Sequence, residues 1–232
     1  MWGALLAATA FAADSPVGKV LLSDDFEANA PGARPASWGV HADEGNDAVV
    51  VDTPALGQRA VRFTDAGGTV WKPMIQGQIS GEAGSFLKLD FDWRLHGSVD
   101  DSNKAFTVVL RGTGNIEVAA VALGGPGGVA VRQKGLGWVP LRVPLKTDRW
   151  NHLTLVADPI SWGERGAYTV VVTQGEERLV FANVPFCPPH GRYPGEYWYS
   201  PSFTLAGSTA AGAGKEAYLD NVKVEVVAGR RE

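Results

Sequence analysis

The sequence predicts an all-β protein, a two-sheet antiparallel β-sandwich of jelly-roll type. Three observations predict it. Short runs of alternating apolar and polar residues recur from residue 20 to residue 227. Clusters of turn-forming residues separate them, drawn from 29 glycines and 14 prolines in 232 residues. Helical periodicity is nearly absent beyond the N-terminal apolar segment, so a helix-containing class is disfavoured.

Residues 1–13 read as the remnant of a secretory signal peptide. Positions 2–13 of "MWGALLAATAFAADSP" are small and apolar, and "AFA" (10–12) or "ATA" (8–10) resembles a cleavage site, although no positive charge precedes them. Residues 14–232 then form one exported domain, in a secreted, periplasmic or cell-surface setting. No later apolar run approaches the length of a membrane span. The only cysteine is Cys187, so no internal disulfide is expected. A net charge of −4 with both signs interspersed, and no basic run, argues against nucleic acid as a partner.

The alternation predicts strands over 20–26, 48–52, 59–64, 69–75, 85–96, 105–111, 116–123, 128–133, 137–143, 150–157, 167–173, 178–184, 201–206 and 217–227. Turn signals such as "DAGG", "GTGN", "GGPGG" and "KGLG" punctuate them. The longest, "FLKLDFDWRLH" (86–96), has Leu87, Leu89, Phe91, Trp93 and Leu95 on one face, and Lys88, Asp90, Asp92, Arg94 and His96 on the other. One face belongs in a core and the other on solvent or in a groove. Phe106, Val108 and Leu110, and likewise Leu153, Leu155 and Ala157, make further core-facing sets, with Trp93 and Trp150 also assigned inward.

The last strand poses a problem. In "EAYLDNVKVEVV" (216–227) simple alternation aligns Tyr218, Val222, Val224 and Val226, and drops Asp220 onto the same apolar face. An unpaired buried carboxylate costs several kcal/mol. An Arg, several backbone N–H groups or a metal ion would relieve it. At the other end of the chain, "LLSDDFE" (21–27) sets Asp24, Asp25 and Glu27 around Phe26. If the two ends lie side by side, their carboxylates need a cation between them, and an all-oxygen ligand set favours Ca²⁺. The competing reading is an Asp220 that accepts backbone N–H bonds and holds no metal.

The pairing of an N-terminal "DDFE" with a C-terminal "AYLDNVKVEV" resembles the concanavalin A-like lectin/glucanase jelly-roll superfamily, which includes laminarinase-type glycosidases, laminin G-like domains and carbohydrate-binding modules. "ALGQRAVRFT" (55–64), "DRWNHLTLVAD" (148–158) and "AYTVVVT" (167–173) are similar to segments of those modules. The resemblance implies a structural Ca²⁺ held by the side chains of Glu27 and Asp220 and the carbonyl of Asp25, with a carbonyl from 56–58 as a further donor and Asp24 as an alternative.

Three functions compete. The first is an exported, non-catalytic carbohydrate-binding or adhesive module. Its polysaccharide or glycan would meet Asp92, Arg94 and His96 and stack on Tyr197, Trp198 and Tyr199, read as part of a Pro/Gly-rich loop. Trp138, Trp162 and Trp71 are weaker aromatic candidates. The second is a glycan-active hydrolase or lyase using the polar face of 86–96. Same-face carboxylates on a strand stand roughly 7 Å apart, near glycosidase spacing, but the laminarinase-type motif is Glu-rich and "LDFDWRLH" has no Glu. A lyase would draw on Arg94, His96 and Arg111 with Tyr197 or Tyr199, yet the paired-Arg and Gln-Ile/Val-His signatures of jelly-roll lyases are not found. The third is a laminin G-like protein-interaction domain. A charged strand face that merely cross-pairs on the surface competes with the first two. There is no G-x-S-x-G elbow, H-E-x-x-H or phosphate-binding loop.

Overall fold

A computed structural model describes residues 18–42, 45–53, 59–65, 73–82, 85–97, 106–124, 128–133, 135–159, 166–187, 197–205 and 215–228. For Glu82, Thr113, Tyr197, Trp198, Tyr199 and Lys215 it describes the backbone alone. Residues 1–13, expected to be a signal-peptide remnant, Trp71, Trp162, Tyr193 and residues 56–58 lie outside the described residues.

The described chain is β-strand and loop with one short 3₁₀ turn. The first half holds β1 (Val20–Asp24), β2 (Gly39–His41), β3 (Asp47–Asp52), β4 (Arg59–Asp65), β5 (Met74–Gln76), β6 (Gly81–Glu82), β7 (Phe86–His96) and β8 (Phe106–Gly112). The second holds β9 (Ile116–Leu123), β10 (Val129–Gln133), β11 (Gly137–Pro140), β12 (Asn151–Asp158), β13 (Ala167–Gln174), β14 (Glu177–Pro185), β15 (Tyr197–Leu205) and β16 (Lys215–Val227). They form two antiparallel sheets. Sheet I runs β14-β13-β12-β7-β16-β4-β3, with β1 also on β16; sheet II runs β11-β10-β9-β8-β15-β5-β2, with β6 also on β15. This is the expected jelly-roll sandwich. The two- and three-residue strands β2 and β6 were not anticipated, because so few residues carry no readable alternation.

Alternation built the core as expected. Leu87, Leu89, Phe91 and Trp93 of β7 face Phe106, Val108 and Leu110 of β8 and Phe203 and Leu205 of β15, all inaccessible to solvent. Aromatic rings lock the sheets together: Phe91 meets Phe203 edge-on at 5.1 Å, and Phe63 meets Phe106 at 5.3 Å. Toward the β13 edge, Tyr168 donates its buried hydroxyl to the carbonyls of Ala120 (3.1 Å) and Arg132 (2.8 Å), so the polar tip of an otherwise apolar side chain is satisfied. Trp150 departs from expectation. In β12 the inward set is Asn151, Leu153, Leu155 and Ala157, so the residue before Asn151 belongs to the outer side, where Trp150 meets Tyr218 at 6.4 Å.

The chain ends are neighbours. β1 pairs antiparallel with β16, with Asp24 opposite Val222. After β1 the chain turns sharply at Phe26, a non-glycine residue at φ 58° whose ring is fully buried. Asp24 holds this turn, accepting the Phe26 N–H (2.8 Å) and the Trp38 indole N–H (2.9 Å). Trp38 in turn lies over Gly77, where a Cβ would come within 2.8 Å of Leu22.

β16 departs from simple alternation. A bulge interrupts its pairing with β7 between Asp220 and Lys223, with Asn221 at φ 51°. The inward residues are Ala217 and Leu219 before the bulge, and Val222, Val224 and Val226 after it. Tyr218 and Asp220 therefore point to the outer face of sheet I, opposite Arg94 and Asp92. The carboxylate does not face the apolar core; the extra residue re-phases the strand.

Candidate functional site

The outer face of sheet I is the polar face read from residues 86–96. The ladder sets His152 opposite Asp92 and Thr154 opposite Asp90. His152 Nδ1 lies 2.8 Å from Asp92 Oδ1, and Thr154 donates to Asp90 Oδ1 at 2.6 Å. Lys88 reaches Asp90 at 2.6 Å and Glu225 at 3.4 Å. Hydrogen bonds to Asp90 and then Asp92 raise His152 to about 9, so the imidazole is a cation at neutral pH. Burial opposes ionisation of Asp90, but bonds from His152, Lys88 and Thr154 outweigh it and bring that carboxyl to about 2. Arg94 stacks 5.5 Å above the Tyr218 ring. His96 Nδ1 pairs with Asp148 Oδ1 at 2.6 Å. Beside this network, Asp92, Trp150, Asn151, His152, Thr173 and Gly175 line an open hollow of about 190 Å³.

Bonds from His152, Lys88 and Thr154 hold Asp90 ionised. The carboxyl that burial raises is Asp220, whose residue is 1 % exposed.

Asp220 sits where the chain ends meet. Burial raises it, the Asn221 N–H bond (2.7 Å) lowers it, and the like charges of Asp92, Glu27 and Asp25 raise it further, to about 7. The expected trio of Asp25, Glu27 and Asp220 is therefore within electrostatic reach of one another. Asp24 is committed elsewhere, to Phe26 and Trp38. The Asp25 carboxylate accepts the Glu27 N–H (3.2 Å), and Glu27 accepts the Arg59 N–H (2.9 Å). The charge balance of this corner fits a cation. A complete set of side-chain ligands does not: among the described residues no group of three or more His, Cys, Asp or Glu is arranged to hold a metal. Glu27 and Asp220 would hold the ion only with backbone carbonyls.

The outer face of sheet II was not read as a site from sequence. Its middle is floored by Val109, Ala120, Ala122, Ser200 and Ser202, all nearly or fully inaccessible. Across six successive strands a polar row crosses this floor: Gln76 (β5), Ser200 and Ser202 (β15), Arg111 (β8), Glu117 (β9), Arg132 (β10) and Trp138 (β11). The register sets Gln76 opposite Ser202, Ser200 opposite Arg111, Arg111 opposite Glu117, and Arg132 opposite Trp138, while the step from Glu117 to Arg132 is made by their ion pair rather than by the ladder. Gln76 donates to Ser200 Oγ at 2.7 Å. Arg111 donates to Ser202 Oγ (3.3 Å) and the Asn115 carbonyl (3.2 Å). Glu117 lies between two guanidinium groups, 3.8 Å from Arg111 and closer still to Arg132. Burial and then the charge of Arg132 lower Arg111 from its ordinary value. Two arginines share one carboxylate, so the row carries net positive charge.

These placements divide the expected ligand site. Asp92, Arg94 and His96 lie on β7 of sheet I. Tyr197, Trp198 and Tyr199 begin β15 of sheet II, in a strand rather than a loop, and their side chains lie outside what is described. The two sets sit on different layers of the sandwich and do not form one surface. The lyase grouping of Arg94 and His96 with Arg111 fails for the same reason. Alternation offered His152 as an outward residue of "NHLTLVA", but its meeting with Asp92 depends on register. Glu117 and Arg132 come together only once β8, β9 and β10 are adjacent. Burial pushes the Cys187 thiol up to about 12, and its Sγ donates to the Arg132 carbonyl at 3.4 Å.

No family model matches the chain, and no curated protein matches its sequence. Solved structures match its fold. The carbohydrate esterase of Shiga toxin-encoding bacteriophage phi24B aligns with a TM-score of 0.61 at 15 % identity, over 91 % of this chain and all of that one. Alginate lyase Aly36B aligns at 0.57 and 13 %, over 93 % and 99 %. Lectin II from Ulex europaeus aligns at 0.55 and 8 %, over 86 % and 95 %. A sialidase aligns at 0.60 and 13 %, where this chain spans 18 % of the whole. The fold is the concanavalin A-like jelly roll.

Proposed function

We propose that this chain is an exported carbohydrate-binding β-sandwich whose glycan lies along the outer face of sheet II. The observation that carries the reading is the row from Gln76 to Trp138. The small residues beneath it are closed to solvent, so a sugar chain would meet the partly exposed side chains of Gln76, Arg111, Glu117, Arg132 and Trp138 above them. Its charged and amide side chains come from neighbouring strands, and a Trp stands at one end. Flat polar rings with C–H faces are recognised by this combination of planar hydrogen-bonding groups and an aromatic surface. Solved neighbours of the same fold include lectins and alginate lyases, which is compatible with a glycan ligand.

Binding without catalysis is the form of the proposal. Asp92, Arg94 and His96 are engaged within their own face by His152, Tyr218 and Asp148, which suits a cross-paired outer surface better than a ligand contact. A structural Ca²⁺ at Glu27 and Asp220, completed by the Asp25 carbonyl, belongs to the same proposal. Its contribution would be to neutralise Asp220 and tie the chain ends together. A glycan array probed with and without chelator, together with an assay for newly released sugar ends, tests the reading. Binding without release is expected. A silent array with no release contradicts it and leaves the laminin G-like, protein-binding reading.

A further inference from the structure

The glycan reading leaves open what the two arginines of sheet II are for. A neutral sugar gives no reason to place Arg111 and Arg132 around a single carboxylate. Arg111 is held from below by Ser202 and from the side by the Asn115 carbonyl, so its guanidinium stays in place whatever its outer partner is. It is also partly stripped of water, with 18 % of its side chain exposed against 42 % for Arg132. Glu117 uses separate oxygens for the two, Oε1 toward Arg111 and Oε2 toward Arg132. Among the described side chains one negative charge stands between two positive ones, which leaves the pair short of an anion. The planar fork of a guanidinium matches a carboxylate edge better than any neutral group. Trp138 stands directly opposite Arg132 on β11, the next strand of the ladder.

We propose that the seat between Arg111 and Arg132 takes the carboxylate of an acidic sugar, and that Glu117 occupies it as an internal stand-in until the ligand arrives. This rests on the glycan-binding reading and names its substrate class. Binding is an exchange of one carboxylate for another. The ligand's acid group moves onto the guanidinium pair, and Glu117 turns outward to water. The exchange lowers affinity, since the Glu117 pairs must be given up. It raises selectivity, because a sugar without a carboxylate cannot displace Glu117 at a matched gain. Glu117 is a specificity-determining residue in this scheme rather than a ligand contact.

Titration calorimetry with trimers of mannuronate, guluronate and galacturonate, each as the free acid and as its methyl ester, tests the assignment. At least one free acid should bind, and its ester should bind about tenfold more weakly or worse. Glu117→Gln should tighten the acid by roughly three- to tenfold and leave the ester unchanged. Glu176→Gln, an exposed change of equal charge on the β13–β14 turn, should alter neither. If thermal melting shows that Glu117→Gln has lost its fold, Glu117→Asp provides the same reading with a weaker clasp, and tightening is again expected. Equal affinity for acid and ester, or a Glu117 variant that binds the acid no better, overturns this assignment and leaves glycan binding standing. Silence of every sugar in every variant overturns the glycan reading and this inference with it.

Discussion

Asp220 is an acid in a corner where ionising it is costly. Burial and three like charges raise it from 3.8 to about 7. The folded state therefore holds a proton that the unfolded chain releases near pH 4. The contribution of this group to stability is complete below that point, falls as pH rises through the interval, and levels off above about 7. The size of the fall is on the order of 4 kcal/mol if no cation is present. Thermal melts between pH 4 and 8 in chelator should show the slope, Asp220→Asn should flatten it, and added Ca²⁺ should restore stability at pH 8. A wild-type curve that is flat in chelator would contradict this account of the corner. His152 works in the same direction from another cause. Its bonds to Asp90 and Asp92 raise it from 6.5 to about 9, so their contribution is complete below pH 6.5 and lost as pH rises through 9. Its side chain is 40 % exposed, and screening holds the effect below about 1 kcal/mol. An NMR titration should place the His152 midpoint well above 8 and move it toward 6.5 in Asp92→Asn. Residue identities alone made Asp220 conspicuous. They did not expose His152 or Glu117, whose roles exist only through neighbours on other strands.

Strands were legible wherever alternation ran uninterrupted. β7, β8 and β12 face the core with the residues expected of them, because a period-two pattern and a two-layer core are the same constraint seen twice. β16 shows where the method stops. One extra residue at Asn221 moves the chain from Leu219-in to Val222-in, and no composition cue marks it beyond an Asn that tolerates positive φ. Asn221 donates its side-chain amide to Asp92 at 2.8 Å, so the bulge residue also ties β16 to the polar face of β7. Asn221→Gly should change stability by less than about 1 kcal/mol, since glycine adopts this backbone freely. Asn221→Val should cost about 1–3 kcal/mol, because a β-branched residue resists left-handed φ. Urea denaturation distinguishes the two, and equal losses would contradict the bulge as the cause. Trp150 teaches the same lesson on a smaller scale: Asn151 holds the inward position, and the larger apolar residue lies outside.

At the scale of the molecule, the sandwich places two polar surfaces back to back around one aromatic core. Phe203 joins them, touching Phe91 across the layers at 5.1 Å and Trp38 at 5.9 Å. Phe203→Ala should cost about 3–5 kcal/mol in chemical denaturation. The fold class and the meeting of the chain ends were readable from strand count, turn chemistry and the acids at both termini. The location of the proposed ligand surface was not, because it depends on which strands become neighbours. Sheet order sets Asp92, Arg94 and His96 on one side and Arg111, Glu117 and Arg132 on the other. The direct measurement is glycan binding by the double variant Arg111→Ala/Arg132→Ala beside Asp92→Asn, each checked for an unchanged melt. The account predicts that the arginine variant loses binding by at least about tenfold and that Asp92→Asn keeps it. Loss of binding in Asp92→Asn with full retention in the arginine variant would contradict it.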